Sequence, residues 1–293
     1  MWQAVEFVSD LHLDSEHPAT LRAFAHYLHT TQADAVFLLG DVFEVWPGDD
    51  AIDERGSFER HCCALLARAA RLRAIYCMHG NRDFLLGQDL RRCGAPPSPQ
   101  LLSRQRERDF FLPSPTCGRG AGGEGRADIC VSPIGIGFTR HCRIPVLNDP
   151  TVLFFMGQRW LLSHGDALCL GDVEYQHFRR QVRNPQWQAA LLARPLHERR
   201  AFAVQARNQS QARKDSGTTH YADVDTQAAL QWLHATDCHA LIHGHTHRPA
   251  DHRLNAHHTR HVLTDWDMHA TPPRAEILRL SATGLQRLPL TPP

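Results

Sequence analysis

Short apolar runs bounded by turn residues recur along this chain, at Ala4 to Val8, Ala35 to Leu39, Ala74 to Met78, Thr151 to Phe155, Arg159 to Leu162 and Ala240 to Ile242. Runs of this length between Gly, Asn, Asp and Ser predict core strands. Amphipathic helical patterns at about Ala19 to Thr30 and Ser57 to Leu72 separate the first three, so the chain begins βαβαβ, the order of an α/β sheet. Met156 and Gly157 predict a hairpin turn, and Arg260 to Leu263, Ala275 to Leu280 and Leu285 to Leu288 predict further strands that could form a second sheet. With 293 residues and 42% hydrophobic content, the chain can bury a sizeable core, and residues 1–293 are read as a single domain.

Five polar blocks are set among these runs: Asp10-Leu11-His12, Gly40-Asp41, Gly80-Asn81-Arg82-Asp83, His164-Gly165-Asp166 and Gly244-His245-Thr246-His247. Four of them follow directly on a predicted strand, and the carboxyl ends of strands in open α/β sheets are where distant residues converge on a ligand. Asp10 and His12 are two apart, so in an extended segment both face one side and can share an ion; His245 and His247 repeat the spacing. The blocks therefore predict two adjacent metal ions held by Asp10, His12, Asp41, Asn81, His164, His245 and His247. Carboxylate and amide oxygen with neutral imidazole, and no thiolate, favour manganese, iron or zinc over a cysteine-bound structural zinc. Only Asp10 and Asp41 in the set carry negative charge, so two divalent ions leave an excess of positive charge suited to a phosphate ester.

Composition excludes several other functions. The formal net charge is +1, which gives no bulk electrostatic case for nucleic acid, and Lys214 is the only lysine. Nine cysteines with no C-x-x-C pair read as reduced thiols of a cytosolic protein. The opening MWQAVEFVSD does not have the layout of a secretion signal, and no run approaches the ~18–20 apolar residues of a membrane span.

The five blocks together resemble the full motif set of the calcineurin-like metallophosphoesterases. The longer wording is narrower: Leu39-Gly40-Asp41-Val42-Phe43-Glu44-Val45-Trp46, His79-Gly80-Asn81-Arg82-Asp83-Phe84-Leu85-Leu86-Gly87 and Ile242-His243-Gly244-His245-Thr246-His247-Arg248-Pro249 are similar to the bacterial branch that hydrolyses UDP-2,3-diacylglucosamine in lipid A synthesis. The resemblance implies a four-layer α/β/β/α sandwich with a helical substrate-binding cap. It implies that Asp10, His12, Asp41 and His247 hold one ion and Asp41, Asn81, His164 and His245 the other, both manganese, with iron or zinc as alternatives. Asp41, Asn81, Arg82 and His245 would serve catalysis. Asn81, Arg82, Asp172, Arg207, Ser210 and His245 match positions that contact the substrate, and Lys214 stands where a short shift would let it supply the family's lysine. The reaction implied yields UMP and 2,3-diacylglucosamine 1-phosphate, and the implied partners are a lipid-linked UDP-sugar and the cytoplasmic face of the inner membrane, with no nucleic acid.

Many members of the superfamily carry histidine where this chain has Arg82, as a general acid for the leaving oxygen. Arginine stays protonated at neutral pH and cannot act in that way. A diphosphate tolerates its absence, because a phosphate leaving group with a second pKa of about 6 departs as an anion. Arg82 is then a binder of phosphate oxygens, the alternative being a structural partner of Asp83.

Two stretches fall outside the strand rhythm. Residues 95–141, Pro-rich and then Gly-rich with no steady period, read as a flexible loop insertion. The segment 172–214 reads as helical, interrupted at Pro185 and Pro195, with Arg179, Arg180, Arg183, Arg194, Arg199, Arg200, Arg207, Arg213 and Lys214 interleaved with aromatic and aliphatic residues. Such a surface suits an acyl-chain cap that touches anionic membrane. Asp166 is expected to orient His164. Competing functions are a soluble nucleotide-diphosphate hydrolase or phosphodiesterase, and a non-catalytic metal-binding scaffold.

Overall fold

Alternation along the first strands decides how the layers stack. In β1 (Ala4–Val8), β2 (Ala35–Leu39) and β3 (Ala74–Met78) of the computed structural model, Val5, Phe7, Ala35, Phe37, Leu39 and Met78 fall on one face, and Val8, Val36, Leu38, Ile75 and Cys77 on the other. Both faces are buried. The structure describes residues 2–87, 144–215 and 222–290, and side chains within helix residues 209–215 lie outside the description. The insertion at 95–141 and the side chains of Ser210 and Lys214 therefore lie outside the described residues.

The second face of β1 to β3 is covered by α1 (Pro18–Thr30) and α2 (Phe58–Ala69), which present Ala23, Phe24, Tyr27 and Leu28, and Cys62, Cys63 and Leu66. Pro18 opens α1, where its missing N–H costs nothing, and the Ser57 side chain caps α2 by accepting from the Arg60 N–H at 3.1 Å. The first face meets a second sheet. Its strands β5 (Thr151–Phe155), β6 (Gln158–Leu162) and β7 (Ala240–His243) send Leu153, Phe155, Trp160, Leu162, Ala240 and Ile242 into the shared layer. Beyond that sheet, α6 (Thr226–Thr236) lays Ala229 and Leu233 over Val152, Leu161 and Leu241. The expected four-layer α/β/β/α sandwich is what the three buried clusters build.

The first sheet runs β11 (Gly284–Pro289), β10 (Glu276–Ser281), β1, β2, β3, β4 (Val146–Leu147), with β1 to β4 parallel and the C-terminal hairpin antiparallel. The second runs β5, β6, β7, β9 (Thr259–Val262), β8 (Ala250–Arg253), with β6, β7 and β9 parallel. The Met156-Gly157 turn carries φ of 48° and 77° and joins β5 to β6. Two strands escape the periodicity, β4 because it is two residues long and β8 because Ala-Asp-His-Arg has no apolar face. The segment 172–214 forms α3 (Val173–Val182), α4 (Pro185–Leu192) and α5 (Leu196–Asp215), broken where its two prolines fall. No helix among the described residues is long and apolar enough to cross a membrane, and the five described cysteines are buried and form no disulfide with one another.

Phe37 stacks on Phe7 at 5.4 Å and on Tyr76 at 5.0 Å in the layer between the sheets. Phe37→Ala should lower the unfolding free energy by about 3–5 kcal/mol, read from urea denaturation followed by tryptophan fluorescence.

Candidate metal centre

All five blocks leave the carboxyl ends of strands, and the pairing of β1 with β2 continues past those ends. The Asp10 N–H donates to Gly40 O at 3.1 Å, His12 to Asp41 O at 3.0 Å, Leu13 to Val42 O at 3.0 Å, and Glu44 back to Leu13 O at 3.1 Å. The first two blocks thus run side by side as a pleatless ribbon. Asp10, His12, Asp41, His245 and His247 have φ between 46° and 67°, and they are five of the seven non-glycine residues described with positive φ. Sparsely populated backbone of this kind gathers at functional sites. It also corrects the extended geometry expected for Asp10 and His12: a left-handed turn at each residue, rather than strand alternation, aims both side chains inward.

Glycine lets the blocks approach. A Cβ on Gly80 would stand 2.0 Å from Asp41 Oδ1, and one on Gly244 would stand 2.2 Å from Asp10 Oδ2.

Asp10 is fully buried. Its Oδ2 accepts from Ser9 Oγ at 2.6 Å and from the His245 N–H at 2.9 Å, whereas Oδ1 accepts no hydrogen bond and faces His247 Nε2 at 3.3 Å and His12 Nε2 at 4.0 Å. The two Nε2 atoms are 3.3 Å apart. His12 Nδ1 lies 2.9 Å from a Glu44 carboxylate oxygen, within ion-pair range but not aligned as a hydrogen bond, and with Nδ1 turned to Glu44 it is Nε2 that faces the centre. On the other side His164 Nδ1 donates to Leu39 O at 3.0 Å, which again leaves Nε2 as an acceptor, 3.1 Å from the acceptor Asn81 Oδ1. His245 Nδ1 is 2.8 Å from the same oxygen. Acceptors that face one another at about 3 Å match adjacent corners of a shell with bonds of about 2.1 Å. The donor set fits two cations, one among Asp10, His12 and His247 and one among Asp10, Asp41 and His164, with Asn81 and His245 beside the second. His247 falls in the first group, and His245, two residues before it, stands instead against Asn81 beside the second.

The electrostatics agree. Burial would depress the His164 imidazole, but Asp41 and Asp10 outweigh it and hold it up at about 9, so this nest of carboxylates takes a proton where it has no cation. Burial and the nearby His164 charge push His245 down to about 4, which keeps it a neutral ligand.

The remaining side chains lock the blocks together. Asp83 accepts from the N–H groups of Gly80 (2.7 Å), Val42 (2.8 Å) and Phe43 (3.4 Å), and burial with the Asp41 charge raises its carboxyl to about 6. Arg82 is not its partner; the guanidinium reaches Glu44 at 3.2 Å on the wall of a cavity. Asp166 does not orient His164, whose Nδ1 is taken by Leu39. It is buried instead under α3, where it accepts from Tyr175 OH at 2.6 Å and Arg179 Nε at 2.8 Å. Arg183 adds a bond to Gly80 O at 2.9 Å, so blocks three and four both grip that helix. Asp172 caps α3 by accepting from the Tyr175 N–H at 3.0 Å.

The cavity beside the centre has a volume of about 670 Å³. Asn81, Arg82 and Arg207 stand at one end, and Trp46, Phe84, Phe178, Leu191 and Phe202 line its apolar walls. The arginines of the helices divide. Arg179, Arg183 and Arg199 are turned against the body, Arg199 buried on Asp50 and Pro47 O, whereas Arg180 and Arg194 are exposed and the side chains of Arg200 and Arg207 keep 40% and 41% of their surface while pairing with Glu54 and Glu44. Two residues were passed over by sequence reasoning: Glu44, whose only signal was a charge inside an apolar word, and Tyr175, which packs its ring 5.5 Å from His245.

The model of the calcineurin-like phosphoesterase family matches residues 5–249. The chain belongs to that family. It is 38% identical over 290 residues to the UDP-2,3-diacylglucosamine hydrolase of Chromobacterium violaceum, covering 98% of this chain and 99% of that protein. It is 36% identical over 284 residues to the protein of the same name from Bordetella pertussis, covering 95% and 92%. Among solved structures, Vps29 of Cryptosporidium parvum aligns with a TM-score of 0.42 at 12% identity, over 96% of this phosphoesterase and 86% of that chain.

Gly80→Ala should leave the enzyme folded by circular dichroism but weaken manganese binding at least tenfold in a calorimetric titration, because the new methyl group displaces Asp41.

Proposed function

We propose that this phosphoesterase hydrolyses the diphosphate bond of UDP-2,3-diacylglucosamine, releasing UMP and 2,3-diacylglucosamine 1-phosphate, with two manganese ions at the centre. The observation that carries the reading is the cavity: Asn81 and Arg82 line it beside the metal centre, and Trp46, Phe84, Leu85, Phe178, Leu191 and Phe202 give it a large apolar and aromatic share, with His177, Arg180, Gln181 and Arg199 among the polar groups that complete the lining. A soluble nucleotide would use the first part and leave the second empty. A volume of about 670 Å³ is in the range of sites that enclose a sizeable ligand.

When bound, divalent ions in this arrangement supply an activated water and neutralise phosphoryl charge. Asp10 and Asp41 hold the centre, and Asn81 and His245 lie between it and the cavity. Arg82 and Arg207 offer guanidinium donors to the diphosphate oxygens, worth most in a site closed to water. No histidine follows Asn81 to protonate the leaving oxygen, which suits a leaving phosphate. Asp172, Ser210 and Lys214 complete the proposed contacts to the head group, Asp172 with the oxygen that its capping bond leaves over.

Helices α3 to α5 act as the cap over the acyl chains in this reading, within one domain, and 95–141 is a loop insertion in the sequence. The enzyme would work at the cytoplasmic face of the inner membrane as a peripheral protein. Support for that comes less from arginine than from Leu170, Val173 and Val204, which are 49%, 71% and 56% exposed on the helical insertion and at its entrance.

The test is to incubate the enzyme with manganese and UDP-2,3-diacylglucosamine in detergent, beside UDP-glucose and a nitrophenyl phosphodiester. UMP from the lipid substrate alone supports the reading, and cleavage of the soluble esters alone overturns it. In the same assay Asp41→Ala should lose bound metal and turnover together, whereas Arg82→Ala should keep two ions and lose at least a hundredfold in kcat/KM.

A further inference from the structure

Glu44 is a buried carboxylate with three cationic or proton-donating neighbours from three parts of the fold. His12 Nδ1 lies 2.9 Å from its Oε2, while Arg82 Nη1 at 3.2 Å and Arg207 Nε at 3.0 Å share its Oε1. His12 belongs to the metal centre, Arg82 to the loop after β3, and Arg207 to α5 of the helical insertion. The carboxylate itself is held by the backbone, because the Glu44 N–H donates to Leu13 O at 3.1 Å and extends the pairing of the first two blocks.

We propose that Glu44 is the positioning residue that ties the metal centre to phosphate recognition, orienting His12 through one oxygen and gathering Arg82 and Arg207 at the cavity mouth through the other. The assignment rests on the diphosphatase reading above for its phosphate half, and on the donor set alone for its metal half. Two guanidinium groups brought to one oxygen would repel each other if that oxygen were uncharged; an ionised carboxylate removes the repulsion and fixes both forks before substrate arrives. A carboxylate behind a metal-bound imidazole also raises the basicity of the ligating nitrogen. Glu44 acts in this assignment through the three side chains it holds.

The discriminating variant is Glu44→Gln, which keeps the shape and an acceptor for His12 but not the charge. Manganese titration should still give two ions per chain, with one bound about 10–100-fold more weakly. The phosphate half is read from a cycle with Arg207→Ala. That substitution should cost at least tenfold in kcat/KM in the native background and less than threefold in the Glu44→Gln background, because Arg207 is already loose there. Unchanged manganese affinity in Glu44→Gln, a fall in the number of ions bound rather than in affinity, or losses that simply multiply would each overturn the assignment. If the native enzyme releases no UMP from the lipid substrate, the diphosphatase reading fails by itself, and the manganese titration still decides the role of Glu44.

Discussion

Two buried carboxylates, Asp10 and Asp41, are carried side by side by backbone hydrogen bonds that prolong the β1–β2 pairing beyond its last strand residues. Burying two anions without compensation is prohibitive, with an effective penalty of several kcal/mol per ion. Most of the local architecture answers that constraint. Four imidazoles surround the pair, Ser9 and backbone N–H groups satisfy the outward oxygens, and the inward Oδ1 of Asp10 is left without a hydrogen bond. Left-handed backbone at five ligands and a glycine at the tight approaches are the conformational cost of bringing blocks from two sheets so close.

The same centre organises the helical insertion. Asp166 and Gly80 O accept from Tyr175, Arg179 and Arg183 of α3, and Glu44 forms an ion pair with Arg207 of α5. The helical insertion and the centre are therefore joined by polar contacts, and the cavity is lined by residues of both parts, Asn81 and Arg82 from the third block among them. The arginine richness of the insertion serves this inward docking more than an outward basic face.

Much of this was legible in the sequence, and the reasons differ by feature. β1, β2 and β3 are apolar runs buried on both faces, and β5 is one in which Phe154 alone is exposed; each is cut off by turn residues, so their ends coincide with the runs. The helices of the insertion end at Pro185 and Pro195 because proline cannot continue a helix. β4 and β8 carry no apolar signal, being held by neighbours rather than by their own composition. Which residues would gather at the centre followed from residue type and strand position, but their geometry did not. The placing of His245 and His247 depends on φ angles of 67° and 52° that no periodicity encodes. The roles of Asp166 and Glu44 were hidden for a different reason: each bonds residues far away in sequence, on helices whose packing a local reading cannot place.

The account stands on a centre that takes two cations in contact with one pair of carboxylates. The direct measurement is electron paramagnetic resonance of the metal-depleted protein titrated with manganese. Two ions per chain that show exchange coupling, both lost when Asp41 is replaced by alanine, is the outcome the structure requires. A single uncoupled ion at saturation, or two ions undisturbed by that replacement, would contradict it.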